Sequence, residues 1–259
     1  MKNIVKADMY HLLRSRVFYI TVGIGILICT MMNLSGSTLV IMGGEEFPPI
    51  IDMSGGAYSI YFSIGTAKNI MLFLLPIYMC ILNKDFSEKI ILNILARKIK
   101  KITYFVAKVV STCIVSVLVY AIIYFIPMFV VAAVRGWGLQ EPFIIYFRRL
   151  IITVLCQMIV ACVMGSLAFY LNLLIQKASV FVTIYICAIF VSGNLYLISQ
   201  NTENFFLHSE IYLEHWMLAS VNNQLFSGGD YLTMMLVLSI WFLIPGIISY
   251  QIFMSRDIV

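Results

Sequence analysis

The chain has 259 residues, of which 62% are hydrophobic and only 11% are charged. This composition excludes an ordinary soluble globular domain, in which about half of the residues are apolar. The formal net charge of +5 belongs to a chain without a sizeable polar region, so we interpret it as a membrane-topology signal and not as evidence for nucleic-acid binding.

The first predicted element is a basic amphipathic helix at residues 2–16. Its apolar side chains form one stripe and its cations lie elsewhere on the surface: Ile4, Val5, Met9, Leu12 and Leu13 against Lys2, Lys6, Arg14 and Arg16. Such a helix lies in the membrane interface with its cations toward lipid phosphates. We therefore expect an interfacial elbow that leads into the first membrane span. The alternative is a frayed basic tail.

Apolar runs then predict six membrane spans, because about 20 apolar residues cross a bilayer core as a helix. The spans are expected at residues 17–42, 60–83, 104–134, 149–176, 178–199 and 232–254. Lys68 lies in the second of these, and we expect its ammonium group to snorkel toward the interface; the alternative is that it marks a polar path. The predicted fold class is an all-α membrane protein with six transmembrane helices, and the whole chain forms one transmembrane domain.

A charged interval, residues 84–108, separates the second span from the third. Ile90, Ile91, Ile94, Leu95 and Ile99 recur in it at helical spacing, and many of the remaining residues are cations. Asp85, followed three residues later by Glu88, resembles the start of a capped helix. The pattern predicts a short amphipathic helix that docks a cytoplasmic partner. A basic loop that only fixes topology is the alternative.

The segment 201–230, before the last span, is too apolar for a solvated loop and too polar to cross the membrane. Interfacial or re-entrant helices fit it best. His208 and His215 are predicted to share a helical face, with Glu210 and Glu214 nearby, but no metal-ligand motif closes between them. We therefore expect no metal site. No deep His, Cys–His or Ser–Lys arrangement indicates a catalytic site either.

Most basic residues fall on the side of the membrane that holds both termini and the interval 84–108. Because cytoplasmic segments are enriched in Lys and Arg, both termini are predicted to be cytoplasmic. The expected location is a cell membrane, with the bacterial plasma membrane preferred.

This layout resembles the ABC-2 type permeases, the membrane subunits of ATP-binding-cassette exporters. The matching features are the basic elbow, the six spans, the interval 84–101 and the apolar segment before the last span. The length resembles the small permeases of lantibiotic-immunity and peptide-export systems. The resemblance implies that a charged helix after the second span contacts the ATPase, through Asp85, Phe86, Glu88, Lys89, Ile91, Leu95 and Arg97. The interval departs from the family pattern because it lacks a glycine near Glu88 and ends in a Lys-rich stretch.

The chain contains no G-x-x-x-x-G-K-[ST] phosphate-binding motif, so ATP and Mg²⁺ are expected in a separate subunit and no cofactor in this chain. The implied partners are ATP-binding-cassette ATPase subunits, a second permease chain (identical or paralogous) and the lipid bilayer. The expected function is export of an amphipathic or hydrophobic substrate, with an antimicrobial peptide or peptide-like compound as the first choice. The substrate path is expected along spans one, two and five, with Tyr61, Phe62, Tyr78, Tyr185 and Asn194 as candidate residues.

Two other classes of function stay open. An ion-coupled secondary transporter would need acidic residues inside the membrane, and none lies within the predicted spans. A membrane assembly or sensor subunit that transports nothing would share the same layout.

Overall fold

A computed structural model describes residues 1–35, 72–83, 99–137, 142–175, 177–200, 208–220 and 228–255. These residues form helices and contain no strand. The helices are α1 (Lys2–Arg14), α2 (Arg16–Ser35), α3 (Leu72–Leu82), α4 (Lys101–Arg135), α5 (Phe143–Ile175), α6 (Ala178–Gln200), α7 (Leu213–Ala219) and α8 (Gly228–Ser255). A π-helical turn, Met79–Asn83, ends α3, and a 3₁₀ turn, Ser209–Ile211, precedes α7. The predicted all-α membrane architecture is therefore confirmed for the described residues.

Within the described residues, four helices are long and apolar enough to cross a membrane: α4, α5, α6 and α8. The count rises to five if α1 and α2, which meet at 66°, form one bent span. The described part of the second predicted span, α3, is too short to cross a bilayer alone, and residues 60–71 lie outside the described ranges. The prediction of six spans thus remains a prediction.

The bend between α1 and α2 is located at Ser15. Its backbone is extended (φ −78°, ψ 125°), and its N–H donates to the carbonyl of Leu12 at 2.9 Å, which closes α1. Leu12 is 1% exposed, whereas Leu13, also part of the predicted apolar stripe, is 47% exposed. One edge of α1 therefore packs on the bundle while the rest of its surface remains open.

The helices α4 and α5 form the centre of the bundle. Within an apolar stretch of 18 residues in each helix, 50% of α4 and 56% of α5 is buried, compared with 28% of α6 and 22% of α8. The helices α1 and α2 pack on α4, whereas α6 and α8 pack on α5. Near one end of the bundle, the ring of Phe105 lies between those of Tyr170 and Tyr250, at 5.9 and 5.3 Å between centroids, and so joins α4, α5 and α8.

Gly165 allows α5 to approach α4 and α3 closely. A Cβ atom at this position would lie 3.1 Å from both the Thr112 carbonyl oxygen and the Tyr78 hydroxyl. The Tyr78 hydroxyl and Ser116 Oγ share a hydrogen bond of 2.6 Å at the same place. A residue without a side chain is needed here because small residues let helix backbones come together inside a membrane.

The two ends of the bundle are distinguished by their contacts. At one end, which we call the α1 end, Lys101 Nζ at the start of α4 donates to the Met254 carbonyl oxygen in the last turn of α8, at 3.3 Å. At the opposite end, Arg135 Nη2 donates to the Leu34 carbonyl oxygen at 2.7 Å and so caps the last turn of α2. These contacts tie helices that are far apart in sequence at both ends.

Candidate functional site

A largely apolar cavity of about 570 Å³ lies between α5, α6, α8 and residues 212–217. This volume is within the range of small-molecule binding sites, about 300–1,000 Å³. Four aromatic side chains contribute to its wall: Tyr170 from α5, Tyr185 from α6, Tyr212 from the segment before α7, and Trp241 from α8. The polar side chains at the wall include Ser192, Ser249 and Glu214. The arrangement suits an apolar or amphipathic ligand.

The cavity forms because α6 and α8 each pack on α5 while residues 208–220 occupy part of the space between them. Trp241 Nε1 of α8 donates to the Ile211 carbonyl oxygen at 2.8 Å. From α5, Gln157 Nε2 donates to the carbonyl oxygen of Met217 at 2.8 Å, and Thr153 Oγ1 donates to that of Ser220 at 2.8 Å. A short helix leaves carbonyls unpaired at its end, and the bundle supplies their donors.

These anchors place the segment deep in the bundle. Gln157 lies about 20 Å along α5 from Phe143, and Trp241 lies about 20 Å along α8 from Gly228, at 1.5 Å rise per residue. Trp216 and Met217 are each 2% exposed. The segment 208–220 therefore lies well inside the bundle, away from the ends of α5 and α8 at the Arg135 end.

Glu214, in the first turn of α7, carries a buried carboxyl group at the cavity wall. It is 8% exposed, and its Oε1 accepts a hydrogen bond of 2.6 Å from Ser192 Oγ of α6. Glu214 is the only charged residue among those that the structure places around the cavity. The sequence predicted interfacial or re-entrant helices for this stretch and assigned Glu214 no binding role.

The predicted path residues are placed differently from one another. Tyr78 is fully buried, and its ring packs edge-to-face on Tyr185 with 6.2 Å between centroids. Tyr185 also lines the cavity. Asn194 is exposed and donates to Phe190 O of its own helix at 2.8 Å, so it lies apart from the other two. Tyr61 and Phe62 lie outside the described residues.

The predicted ATPase-contact residues also lie outside the described residues: Asp85, Phe86, Glu88, Lys89, Ile91, Leu95 and Arg97. The structure does describe the helices on either side of them. Ser15 Oγ lies 3.8 Å from Cys80 Sγ in the last turn of α3, and α4 begins at Lys101. The interval thus starts and finishes at the α1 end of the bundle.

An ion cluster joins α1 to α4 close to this interval. Lys108 Nζ lies 2.7 Å from Asp8 Oδ1, and Ser111 Oγ donates to Asp8 Oδ2 at 2.8 Å. The side chain of Lys108 is 1% exposed, and its ammonium group lies 5.8 Å from the centroid of the Tyr104 ring. The sequence signal was a cation inside an apolar run, which requires a partner, together with the one acidic residue of α1.

The histidine pair predicted to share a helical face does not do so. His208 precedes the 3₁₀ turn, whereas His215 lies in α7. The extended backbone of Tyr212 separates these two helical segments. Among the described residues, no group of three His, Cys, Asp or Glu side chains is placed to hold a metal ion.

No protein-family model matches the chain, and no curated protein matches its sequence.

Proposed function

We propose that the chain is the permease subunit of an ATP-binding-cassette exporter. It would move an amphipathic or hydrophobic substrate, with an antimicrobial peptide or a peptide-like compound as the first choice. The observation that carries the proposal is the apolar cavity, which opens between helices long enough to span a membrane and lies deep along their length. The resemblance to ABC-2 permeases supplies the energy source, ATP hydrolysed by a separate subunit.

In the proposed architecture the chain has six spans and both termini are cytoplasmic. The helix α1 lies in the cytoplasmic interface, because its cations remain exposed while Leu12 packs inward. Residues 208–220 form a re-entrant segment, a conformation that a membrane tolerates where the backbone is buried in protein. Their hydrogen bonds to Gln157, Thr153 and Trp241 satisfy this condition.

Residues 85–97 would transmit the work of the ATPase. They connect α3 to α4, and both helices contact α1. A displacement of this interval would therefore act on α4 directly and on α1 through the Asp8–Lys108 pair. A second permease chain would complete the path, and differential contacts in two states would alternate its access.

Co-purification tests the proposal. The tagged full-length chain is isolated from its native membrane in mild detergent, and the co-purifying proteins are identified by mass spectrometry. We expect an ATP-binding-cassette ATPase in stoichiometric amount, and we expect ATP hydrolysis by the complex to rise with substrate. A preparation without such a subunit and without ATPase activity would contradict the proposal.

One observation favours ion-coupled transport as a second candidate function. Glu214 provides a carboxyl group inside the bundle, and acidic residues at such positions often mark ion or proton pathways. Proteoliposomes that contain the chain alone separate the two candidates. Uptake driven by a pH gradient without ATP favours ion coupling, whereas uptake that requires ATP and the ATPase favours the exporter.

A further inference from the structure

We propose that the cavity binds a monovalent lipophilic cation, with Glu214 as its counter-ion. The inference deepens the proposed function, on which it rests for the movement of the ligand, by naming the charge of the substrate. Binding itself is a property of the cavity and is measured on this chain without an ATPase.

The charge of the cavity wall favours a cation. Glu214 is an acidic side chain, and no Lys, Arg or His is among the residues that the structure places around the cavity. Within the part of the chain that the structure describes, Ser192 is the one hydrogen-bond donor to its carboxylate. A buried carboxylate with a single neutral donor is poorly compensated, and a ligand cation would supply the missing charge.

The aromatic composition points to the same ligand. The rings of Tyr170, Tyr185, Tyr212 and Trp241 all border the cavity. Aromatic faces attract cations through the ring quadrupole, and they do so most strongly for organic cations that shed water easily. The remaining wall is aliphatic and would bind the apolar body of the ligand.

The opening of the cavity suits a ligand that partitions into lipid. Three of its lining side chains are also substantially exposed on the surface of the bundle: Val191 at 55%, Leu195 at 37% and Ile248 at 49%. The first two belong to α6 and the third to α8, so the cavity reaches the surface between these helices. In a membrane this surface is apolar, and an amphiphile would enter from the bilayer side.

Two probes of equal shape and opposite charge test the inference. The purified full-length chain in a non-ionic detergent is titrated with radiolabelled tetraphenylphosphonium and, separately, with tetraphenylborate. We expect saturable binding of the phosphonium and weaker binding of the borate. No saturable phosphonium binding, or equal binding of both ions, would overturn the inference, and this comparison needs no variant.

Variants then assign the charge preference to one residue. Glu214→Gln should weaken phosphonium binding about tenfold or more, because the counter-ion is lost from a poorly hydrated site. Its borate affinity should not fall. Glu214→Asp should retain the preference for the cation, and Glu210→Gln, an exposed acid of the same segment, should bind both ions as the wild type does.

The outcomes separate this inference from the proposed function. Unchanged phosphonium binding by a monodisperse Glu214→Gln variant would overturn the role of the carboxylate, whatever the exporter does. Intact charge-selective binding combined with transport that does not need ATP would count against the exporter and would leave the proposed cation site unaffected.

Discussion

Lys108 is an example of how a single charge is accommodated inside an apolar bundle. Its ammonium group has a carboxylate at 2.7 Å and an aromatic ring at 5.8 Å, and Ser111 donates to the second oxygen of the same carboxylate. Both carboxylate oxygens of Asp8 thus have a partner. A buried pair of this kind contributes little net stability, but the loss of one member leaves an uncompensated charge.

Replacing Asp8 by Ala should therefore lower the free energy of unfolding by about 3 kcal/mol, because Lys108 would be left buried without its partner. The measurement is the unfolding midpoint of the purified chain in detergent. The double variant Asp8→Ala/Lys108→Met should recover much of the loss. Lys6→Ala, which changes an exposed residue of the same helix, is the control. Equal destabilisation by Asp8→Ala and Lys6→Ala would contradict the prediction.

Gly165 leads to a second prediction, which concerns packing. Gly165→Ala should destabilise the bundle by about 1–3 kcal/mol, because the added methyl group meets the Thr112 carbonyl oxygen and the Tyr78 hydroxyl. Gly23→Ala is the matched control, since a Cβ atom there meets nothing within 4 Å and alanine is the better helix former. Thermal unfolding measures both. The prediction fails if Gly165→Ala is as stable as Gly23→Ala.

At the level of elements, the segment 208–220 is held in the bundle by a small number of side-chain donors. Gln157 alone donates to both the Met217 carbonyl oxygen and Ser220 Oγ, at 2.8 and 3.0 Å. The short helix α7 has too few residues to be stable by itself. Its position therefore depends on α5 more than on its own sequence.

Gln157→Leu should loosen this segment while leaving α5 helical. We expect the amide hydrogens of residues 213–220 to exchange with deuterium about tenfold faster, because a hydrogen bond of about 1–2 kcal/mol no longer opposes local opening. Hydrogen–deuterium exchange with mass spectrometry makes the measurement. Asn194→Leu, which removes an exposed amide that bonds only to its own helix, should leave the exchange unchanged. Equal exchange in the two variants would show that Gln157 does not hold the segment.

The interval between α3 and α4 supports a prediction about coupling. The double change Glu88→Ala and Arg97→Ala should reduce substrate-stimulated ATP hydrolysis by about tenfold, the scale of a typical coupling free energy between sites. Membrane insertion should be unaffected, since both residues lie outside the predicted spans. Lys177→Ala, at the exposed joint of α5 and α6, is the control. Undiminished export by the double variant would argue against an ATPase contact at this interval.

At the level of the whole molecule, membrane topology is the most direct test. Reporter proteins fused after residues 100 and 259 should be cytoplasmic, and a reporter fused after residue 137 should be external. The reason is the concentration of Lys and Arg around α1 and the interval 84–108. Protease protection and reporter fluorescence give the sidedness. An external location for residue 100 would invert the proposed architecture.

The sequence predicts the long helices well, because an apolar run of more than 20 residues can pair its own backbone polar groups in a bilayer by forming a helix. It does not predict which helices are neighbours. Asp8 and Lys108 are 100 positions apart, and Thr153 meets Ser220 across 67. Hydropathy indicates which stretches of chain lie in a bilayer but not which side chains meet, so neither contact was foreseen.

The sequence predicted the position of the candidate site only in part. The sequence indicated a path along spans one, two and five, whereas the cavity lies between α5, α6, α8 and residues 212–217. Tyr185 belongs to both. Interfacial or re-entrant helices were predicted for the stretch that contains Glu214, but its mixed polarity carries no information about which side chains face a cavity.

The unequal burial of the helices has a mechanical consequence. Helix α6 contacts α5 over a small part of its surface, whereas α4 packs closely on α5 at Gly165 and α8 packs closely on α5 at Gly246, where a Cβ atom would lie 2.9 Å from the Tyr170 hydroxyl. Sliding α6 along α5 would separate few packed side chains, whereas moving α4 or α8 away from α5 would separate many. The space between α6 and α8 can therefore widen or narrow through movement of α6 against a fixed α5–α8 pair, at a free-energy cost far below that of unfolding.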